Sequence, residues 1–232
     1  MAKQTLVLLP GLLATRRVWQ NQVDALSDLA DITVPELYDY DSIGAMAEAA
    51  LAAVTGPFAL AGFSMGGYVS FEILRRAPKR VQRLALVDTQ ATPDTHEATT
   101  RRHGFIEQTR IGRFVGVQPA IMPTIIHPSR LKDTSVTQPI LDMAQQVGAE
   151  GFVRETHATM ARPDSRPMLG SIRVPTLVIV GRQDQTAPLA RAEEMATTIP
   201  NARLVVIEEC GHMSPLEKPA EVTAAMRRWL SE

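Results

Sequence analysis

Cysteine is nearly absent from this sequence, which has a single one, Cys210, among its 232 residues. No internal disulfide can therefore form, and a small secreted fold held together by disulfides is excluded. A reducing compartment suits such a chain, so we expect it to be cytoplasmic.

Strong charge of either sign is also missing. The formal net charge is −1, and the paired arginines are scattered along the chain, so no basic patch predicts a nucleic-acid or anionic membrane surface. We therefore expect a small-molecule substrate as the partner, with no nucleic acid and no membrane. A homo-oligomer is left open.

Long apolar runs are lacking as well. The first one, at 5–9, is too short for a membrane span and no small-residue cleavage site follows it, so it predicts a core strand rather than a signal peptide. Hydrophobic residues make up 45% and charged residues 21%, which is typical of a packed globular protein. At this length we expect one large domain.

Short apolar runs, in contrast, recur along the chain and alternate with segments of helical periodicity. The runs show no polar alternation, which is typical of strands buried on both faces of a parallel sheet. They lie at 5–9, 32–34, 58–62, 84–87, 176–180 and 204–207, and the clearest helical segments at 42–54, 65–76, 188–198 and 219–230. This alternation predicts the α/β class.

The alternation stops at 92–171, where no strand pattern is found and prolines are frequent. We predict that this segment is a helical insertion and that 1–91 and 172–232 form the α/β core. Within the insertion, short helices are predicted at 97–110, 113–122, 138–147 and 151–160.

A serine follows the third apolar run in the sequence Gly-Phe-Ser-Met-Gly-Gly at 62–67. Ser64 thus stands at a strand-to-helix turn with glycine two positions to either side, which is the pattern of a nucleophile elbow. Side chains at Gly62 and Gly66 would crowd such a turn, and the helix after it directs backbone N–H groups toward Ser64. The alternative is a Gly-Ser turn in which Ser64 only caps the helix.

A serine hydroxyl needs a base, and the base needs a partner that fixes its tautomer. Asp184 follows the run at 176–180, and His212 follows the run at 204–207. Loops at the carboxyl ends of parallel strands share one edge of the sheet, so these residues are predicted to converge with Ser64. Asp88, at the end of another run, is the competing acid.

The first apolar run ends in Pro-Gly-Leu-Leu at 10–13, a turn above the same sheet edge. An oxyanion beside Ser64 would be held by backbone N–H groups, and we predict those of Met65 and Leu12. The alternative for this segment is a plain Pro-Gly turn.

These motifs, together with Gly-Arg-Gln-Asp at 181–184 and Gly-His-Met-Ser-Pro-Leu-Glu-Lys-Pro at 211–219, resemble the α/β-hydrolase superfamily. The resemblance extends from about 6 to 230 and is closest to the small esterases, lactonases and carbon–carbon hydrolases with a helical cap. It implies an eight-stranded, mostly parallel sheet, the insertion as the cap, and a triad of Ser64, Asp184 and His212. Relatives commonly have His-Gly where this chain has Pro10-Gly11.

The predicted reaction is hydrolysis of a carboxylic ester, thioester or lactone of a small, largely apolar substrate through an acyl-enzyme on Ser64. No cofactor and no metal are predicted, because no metal-ligand cluster, phosphate loop or dinucleotide motif is found. A C–C hydrolase, a lyase or cofactor-free oxygenase with the same triad, and an inactive binding protein are the alternatives.

Several apolar residues are predicted to line the substrate pocket, with core packing as the alternative for each methionine. They are Leu13, Phe63, Met122, Met143 and Met160. Arg154 or Arg162 could pair with a substrate carboxylate, although surface positions are the alternative. Cys210, two residues before His212, could make the enzyme sensitive to thiol reagents or could be a buried structural cysteine.

Overall fold

Six strands form one sheet in the computed structural model, which describes residues 3–114, 116 and 118–232. They are β1 (Gln4–Leu9), β2 (Ala30–Thr33), β3 (Phe58–Phe63), β4 (Val81–Val87), β5 (Thr176–Gly181) and β6 (Ala202–Ile207). All neighbouring strands are parallel, in the order β2-β1-β3-β4-β5-β6. Each predicted apolar run forms a strand, and the α/β class is confirmed.

The number of strands implied by the resemblance was wrong, since the described residues form six strands and not eight. Strands covered on both faces need nearly continuous apolar runs. The sequence has six such runs, and the sheet contains all of them.

Helices cover both faces of the sheet. One face carries α1 (Gln20–Leu26), α9 (Ser214–Glu217) and α10 (Pro219–Ser231); the other carries α2 (Ile43–Ala52), α3 (Met65–Arg76) and α8 (Leu189–Thr198). This gives the three-layer arrangement of α/β proteins. None of the helices in the described part of the chain has both the length and the hydropathy needed to cross a bilayer.

The core follows from the alternation of side chains along each strand. In β1, Leu6 and Leu8 point to one face, and Val7 and Leu9 to the other, and all four are fully buried. Two apolar clusters result, one under each helical layer. Burial on both faces explains why the strands lack a polar alternation.

The segment 92–171 contains helices and, in its described residues, no strand. Its α-helices are α4 (His96–Arg110), α5 (Met122–Ile125), α6 (Thr134–Met160) and α7 (Arg166–Leu169). The predicted helices at 138–147 and 151–160 belong to α6, which is interrupted at Gly148, where φ is 70° and ψ is 179°.

The helix predicted at 113–122 was wrong. The described residues between α4 and α5 include a 3₁₀ helix at Pro119–Ile121 but no α-helix, while residues 115 and 117 lie outside the description. Gly112 has φ 80°, which a continuing α-helix does not allow, and Gly116 and Pro119 lower the helix propensity of the rest.

The strand register brings the ends of the central strands to one edge. Gly62 near the end of β3 pairs with Leu86 in β4, Val87 in β4 pairs with Ile179 in β5, and β5 runs in register with β6 as far as its last residue. The segments after β1, β3, β4, β5 and β6 therefore meet above this edge.

Candidate active site

Ser64 occupies a strained turn between β3 and α3. Its φ is 52° and its ψ is −115°, a conformation that is costly for a serine and that persists only when its surroundings impose it. A Cβ on Gly62 would overlap the carbonyl of Gly66, and one on Gly66 would overlap the carbonyl of Leu9. Both glycines therefore allow the close approach that the turn requires.

A chain of hydrogen bonds joins Ser64, His212 and Asp184. His212 Nε2 lies 2.9 Å from Ser64 Oγ, and His212 Nδ1 lies 2.8 Å from Asp184 Oδ2. The other carboxylate oxygen, Oδ1, accepts hydrogen bonds from the backbone N–H groups of Thr186 at 2.8 Å and Ala187 at 2.9 Å. The structure thus brings together the three residues that the sequence predicts to act together.

The electrostatic surroundings of His212 favour its charged form. Burial lowers the pKa of the imidazole, but the negative charge of Asp184 and its hydrogen bond act in the opposite direction, with smaller contributions from Asp88 and Glu217. The net effect raises the pKa of His212 above its usual value. Such an imidazole is suited to accept a proton from a hydroxyl and hold it.

Glu217 fixes the loop that carries His212. The carboxylate is fully buried and accepts backbone hydrogen bonds from Gly211 at 3.0 Å and Met213 at 3.1 Å, on either side of His212. It also accepts one from the backbone N–H of His127 at 2.7 Å, in the 92–171 segment. Glu217 belongs to the motif at 211–219, but the motif alone indicates no role for it.

Asp88, the competing acid, is engaged elsewhere. Its Oδ1 accepts a hydrogen bond from the backbone N–H of Gly181 at 3.0 Å, and its Oδ2 accepts one from Ser214 at 3.2 Å. Full burial and the nearby charge of Asp184 raise the pKa of Asp88 to about 8. Asp184, and not Asp88, holds His212 Nδ1.

The turn after β1 lies beside Ser64, as predicted for the oxyanion site. Leu12 and Met65 line the same cavity as Ser64, and Met65 is the first residue of α3, where backbone N–H groups have no partner within the helix. Leu13 has φ 59°, and its N–H donates to Glu155 Oε2 at 2.8 Å. That the N–H groups of Leu12 and Met65 hold the oxyanion stays a prediction.

Glu155 was missed by the sequence analysis. It is fully buried, and burial raises the pKa of its carboxyl to about 8 despite the Leu13 N–H and the charge of Arg154. Its Oε1 has no hydrogen-bond partner among the described residues. The spacing to Phe152 and Ala158 could have revealed its position, because residues three apart on a helix share a face and both of these are buried.

We expect Glu155 to make the protein less stable as pH rises. An unfolded chain releases this proton near pH 4.5, whereas the folded protein keeps it until about pH 8, so the unfolded state is increasingly favoured between those values. The stability of wild type relative to Glu155→Gln should therefore fall between pH 4.5 and 8, by up to roughly 1.4 kcal/mol per pH unit, and then level off.

Urea unfolding at several pH values measures this difference. Glu150→Gln, on the exposed side of α6, is the matched control and should follow wild type at every pH. If the free energies of unfolding of wild type and Glu155→Gln differ by a constant amount between pH 4.5 and 8, Glu155 ionises normally in the folded protein.

A cavity of about 140 Å³ opens onto Ser64 and His212. Its wall is mostly apolar and includes Leu12, Leu13, Phe63, Tyr68, Ile121, Ile125, Ile140, Ala144 and Met213, with Arg102, Thr159 and Thr186 as polar members. Leu13 and Phe63 therefore lie where the pocket prediction put them. The ring of Phe63 is 5.3 Å from that of His212, centroid to centroid.

Three of the predicted pocket residues do not line this cavity, and for them the prediction was wrong. Met122 and Met143 pack in the apolar core, where Met143 Sδ also accepts a hydrogen bond from the N–H of Thr15. Met160 is the last residue of α6, outside the cavity wall. Periodicity does not tell a methionine that faces a pocket from one that faces the core.

The two arginines considered for a substrate carboxylate also lie outside the cavity wall. Arg154 donates to the carbonyl of Tyr38 at 3.0 Å on the surface, and Arg162 is buried in an ion pair with Asp94. The arginine that does line the cavity is Arg102, which the sequence analysis did not consider.

Cys210 is fully buried, and burial raises the pKa of its thiol well above the usual range. The interpretation as a buried structural cysteine is confirmed. Within residues 3–114, 116 and 118–232, no group of three His, Cys, Asp or Glu side chains is placed to hold a metal ion.

Comparison with known proteins agrees with this geometry. The model of the alpha/beta hydrolase family matches residues 6–225. The chain belongs to this family. The expected fold family and hydrolase class are thereby confirmed.

Individual relatives match over nearly their whole length. The chain is 27% identical to a pimeloyl-acyl-carrier-protein methyl ester esterase from Aromatoleum aromaticum, over 95% of this chain and 96% of that protein. A thermophilic esterase from Thermogutta terrifontis, in a structure described as malate-bound, is 32% identical with a TM-score of 0.89, covering 99% of this chain and 91% of that one. An enol-lactonase from Burkholderia xenovorans LB400 is 24% identical with a TM-score of 0.87, and the match covers 100% of this chain and 93% of that one. At this identity the likeness shows the fold alone.

Proposed function

We propose that the protein hydrolyses carboxylic esters of small substrates through an acyl-enzyme on Ser64. The observation that carries the proposal is the hydrogen-bond chain from Ser64 Oγ through His212 to Asp184 at the mouth of an apolar cavity. The esterases among the relatives support the same reaction class.

The geometry suggests how each group acts. Ser64 Oγ attacks the ester carbonyl while His212 Nε2 takes its proton, and Asp184 holds Nδ1–H and stabilises the imidazolium. His212 then returns the proton to the departing alcohol. Water, activated by the same imidazole, attacks the acyl-enzyme and releases the acid.

The negative charge on the carbonyl oxygen needs donors that are already in place. The N–H groups of Leu12 and Met65 are proposed for this role, supported by the positive end of the α3 dipole. The positive φ angles at Ser64 and Leu13 show that the surrounding structure imposes the shape of both turns, and the hydrogen bond from Leu13 N–H to Glu155 is one contact that does so.

The segment 92–171 is proposed to act as a cap over this site. It contributes Arg102, Ile121, Ile125, Ile140, Ala144 and Thr159 to the cavity wall. The carbonyl of Ile125 also accepts a hydrogen bond from the backbone N–H of His212 at 2.9 Å. A cytoplasmic location is proposed from the single, buried cysteine.

Hydrolysis of p-nitrophenyl esters from acetate to decanoate, combined with a fluorophosphonate label, tests the proposal. A cavity of about 140 Å³ accepts a short acyl chain, so we expect decanoate to be cleaved at least about tenfold less efficiently than the best short ester. The label should be found on Ser64 by mass spectrometry and should be absent from Ser64→Ala.

Ser135→Ala, at an exposed serine of α6, is the matched control and should be labelled like wild type. Absence of both turnover and label from wild type would refute the acyl-enzyme proposal.

A further inference from the structure

Arg102 is an arginine with unused donors in the wall of the catalytic cavity. Its Nε donates to Asp94 Oδ2 at 2.7 Å, and its side chain is 24% exposed. Its two terminal nitrogens have no hydrogen-bond partner among the described residues, which leaves four of the five guanidinium N–H groups available.

The charges around Arg102 do not balance. Asp94 is 4% exposed and also pairs with Arg162, which is 2% exposed, so two guanidinium groups share one carboxylate. Arg162 also donates to the carbonyls of Thr92 and Thr159, and its guanidinium carbon lies 4.3 Å from the ring centroid of Tyr68. The two arginines therefore carry one positive charge more than Asp94 can balance, and Arg102 is the one of them that lines the cavity.

Thr159 is a second polar group in the same wall. Its side chain is almost completely buried, and its Oγ1 has no hydrogen-bond partner among the described residues. A buried hydroxyl without a partner is unfavourable, so a ligand atom that accepts its hydrogen would be bound. Except for Arg102, Thr159, Thr186 and the catalytic groups, the wall offers mainly apolar surface.

We propose that the substrate carries a carboxylate a few carbon atoms from the scissile ester, bound by the terminal nitrogens of Arg102 and the hydroxyl of Thr159. The substrate class is therefore the half-ester of a short dicarboxylic acid. A planar guanidinium with two free nitrogens matches a carboxylate in two parallel hydrogen bonds, and the small cavity limits the length of the carbon chain. This inference rests on the proposed esterase function and specifies its substrate.

Methyl butyrate and monomethyl succinate form a suitable substrate pair, because a terminal methyl group is replaced by a carboxylate at similar length. With methanol release as the assay, the kcat/KM of wild type should be at least about tenfold higher for monomethyl succinate than for methyl butyrate, because KM is lower. Arg102→Met should remove most of this preference, Thr159→Val should reduce it by a few-fold, and Arg102→Lys should keep part of it.

Arg101→Met is the matched control, since Arg101 is the exposed neighbour on α4 and does not line the cavity. It should keep the wild-type preference. Because Arg162 still neutralises Asp94 in Arg102→Met, thermal unfolding should confirm that this variant is folded.

Inhibition by succinate provides a second measurement. With p-nitrophenyl acetate as substrate, succinate should compete in wild type and at least about tenfold less strongly in Arg102→Met. A wild type that prefers methyl butyrate, or an equal loss on both methyl esters in Arg102→Met, would overturn the carboxylate site while leaving the esterase intact. If Ser64 is not labelled and no ester is cleaved, the proposed function fails and this inference fails with it.

Discussion

Alanine at Ser64 and alanine at His212 should each lower kcat for ester hydrolysis by roughly 10⁴- to 10⁶-fold. We expect the two side chains to act as one unit, because His212 Nε2 is hydrogen-bonded to Ser64 Oγ and its task is to take the proton of that hydroxyl. The double variant should therefore be no slower than either single one. Residual turnover above the uncatalysed rate would come from the proposed oxyanion donors and from substrate binding.

Steady-state kinetics on the best p-nitrophenyl ester measures these effects, with burst kinetics to detect the acyl-enzyme. His157→Ala, at an exposed histidine of α6, is the control and should match wild type. Turnover of a non-ester substrate that survives Ser64→Ala but not His212→Ala would instead indicate proton abstraction without a covalent intermediate, as in a lyase or cofactor-free oxygenase.

Asp184→Asn is expected to lower kcat by about 10⁴-fold, as a loss of the correct histidine tautomer does. Oδ1 of Asp184 accepts two backbone N–H groups, so the oxygen of an asparagine would stay at that position and its NH₂ group would face His212 Nδ1. His212 would then carry its proton on Nε2, directed at Ser64, and could not act as the base. KM should change much less than kcat.

Asp88→Asn is the matched comparison, because Asp88 is the other buried aspartate near His212. Its two oxygens both accept backbone N–H groups, so above about pH 8, where Asp88 is ionised, the amide of an asparagine would oppose one donor and cost about 1–3 kcal/mol of stability. The loss of kcat should remain far below that of Asp184→Asn. The reverse order of the two losses would make Asp88 the triad acid.

The sheet and the three converging residues could be predicted from sequence because each depends on a local pattern. A strand buried on both faces requires an apolar run, as at β3, and a strained turn requires glycines such as Gly62 and Gly66. The parallel arrangement then brings Ser64, Asp184 and His212 to one edge without further information.

The cavity wall could not be predicted in the same way. Glu155 and Arg102 stand in helices of the segment 92–171 among other polar residues, and their orientation depends on how α4 and α6 pack. The break at Gly148 separates the first part of α6 from the part that carries Glu155, whose carboxylate accepts the Leu13 N–H. Such packing is set by contacts distant in sequence, and Met122 and Met143 were misassigned for this reason.

The hydrogen bond between Leu13 and Glu155 has a consequence for attempts to change the substrate range by recombination. The turn beside Ser64 follows β1, but the acceptor for its Leu13 N–H comes from α6, in the segment 92–171. A chimera that received the corresponding segment of a relative with an apolar residue at position 155 would leave a partly buried amide without this acceptor. The two segments are therefore not interchangeable modules, and a successful graft must carry a matching acceptor with it.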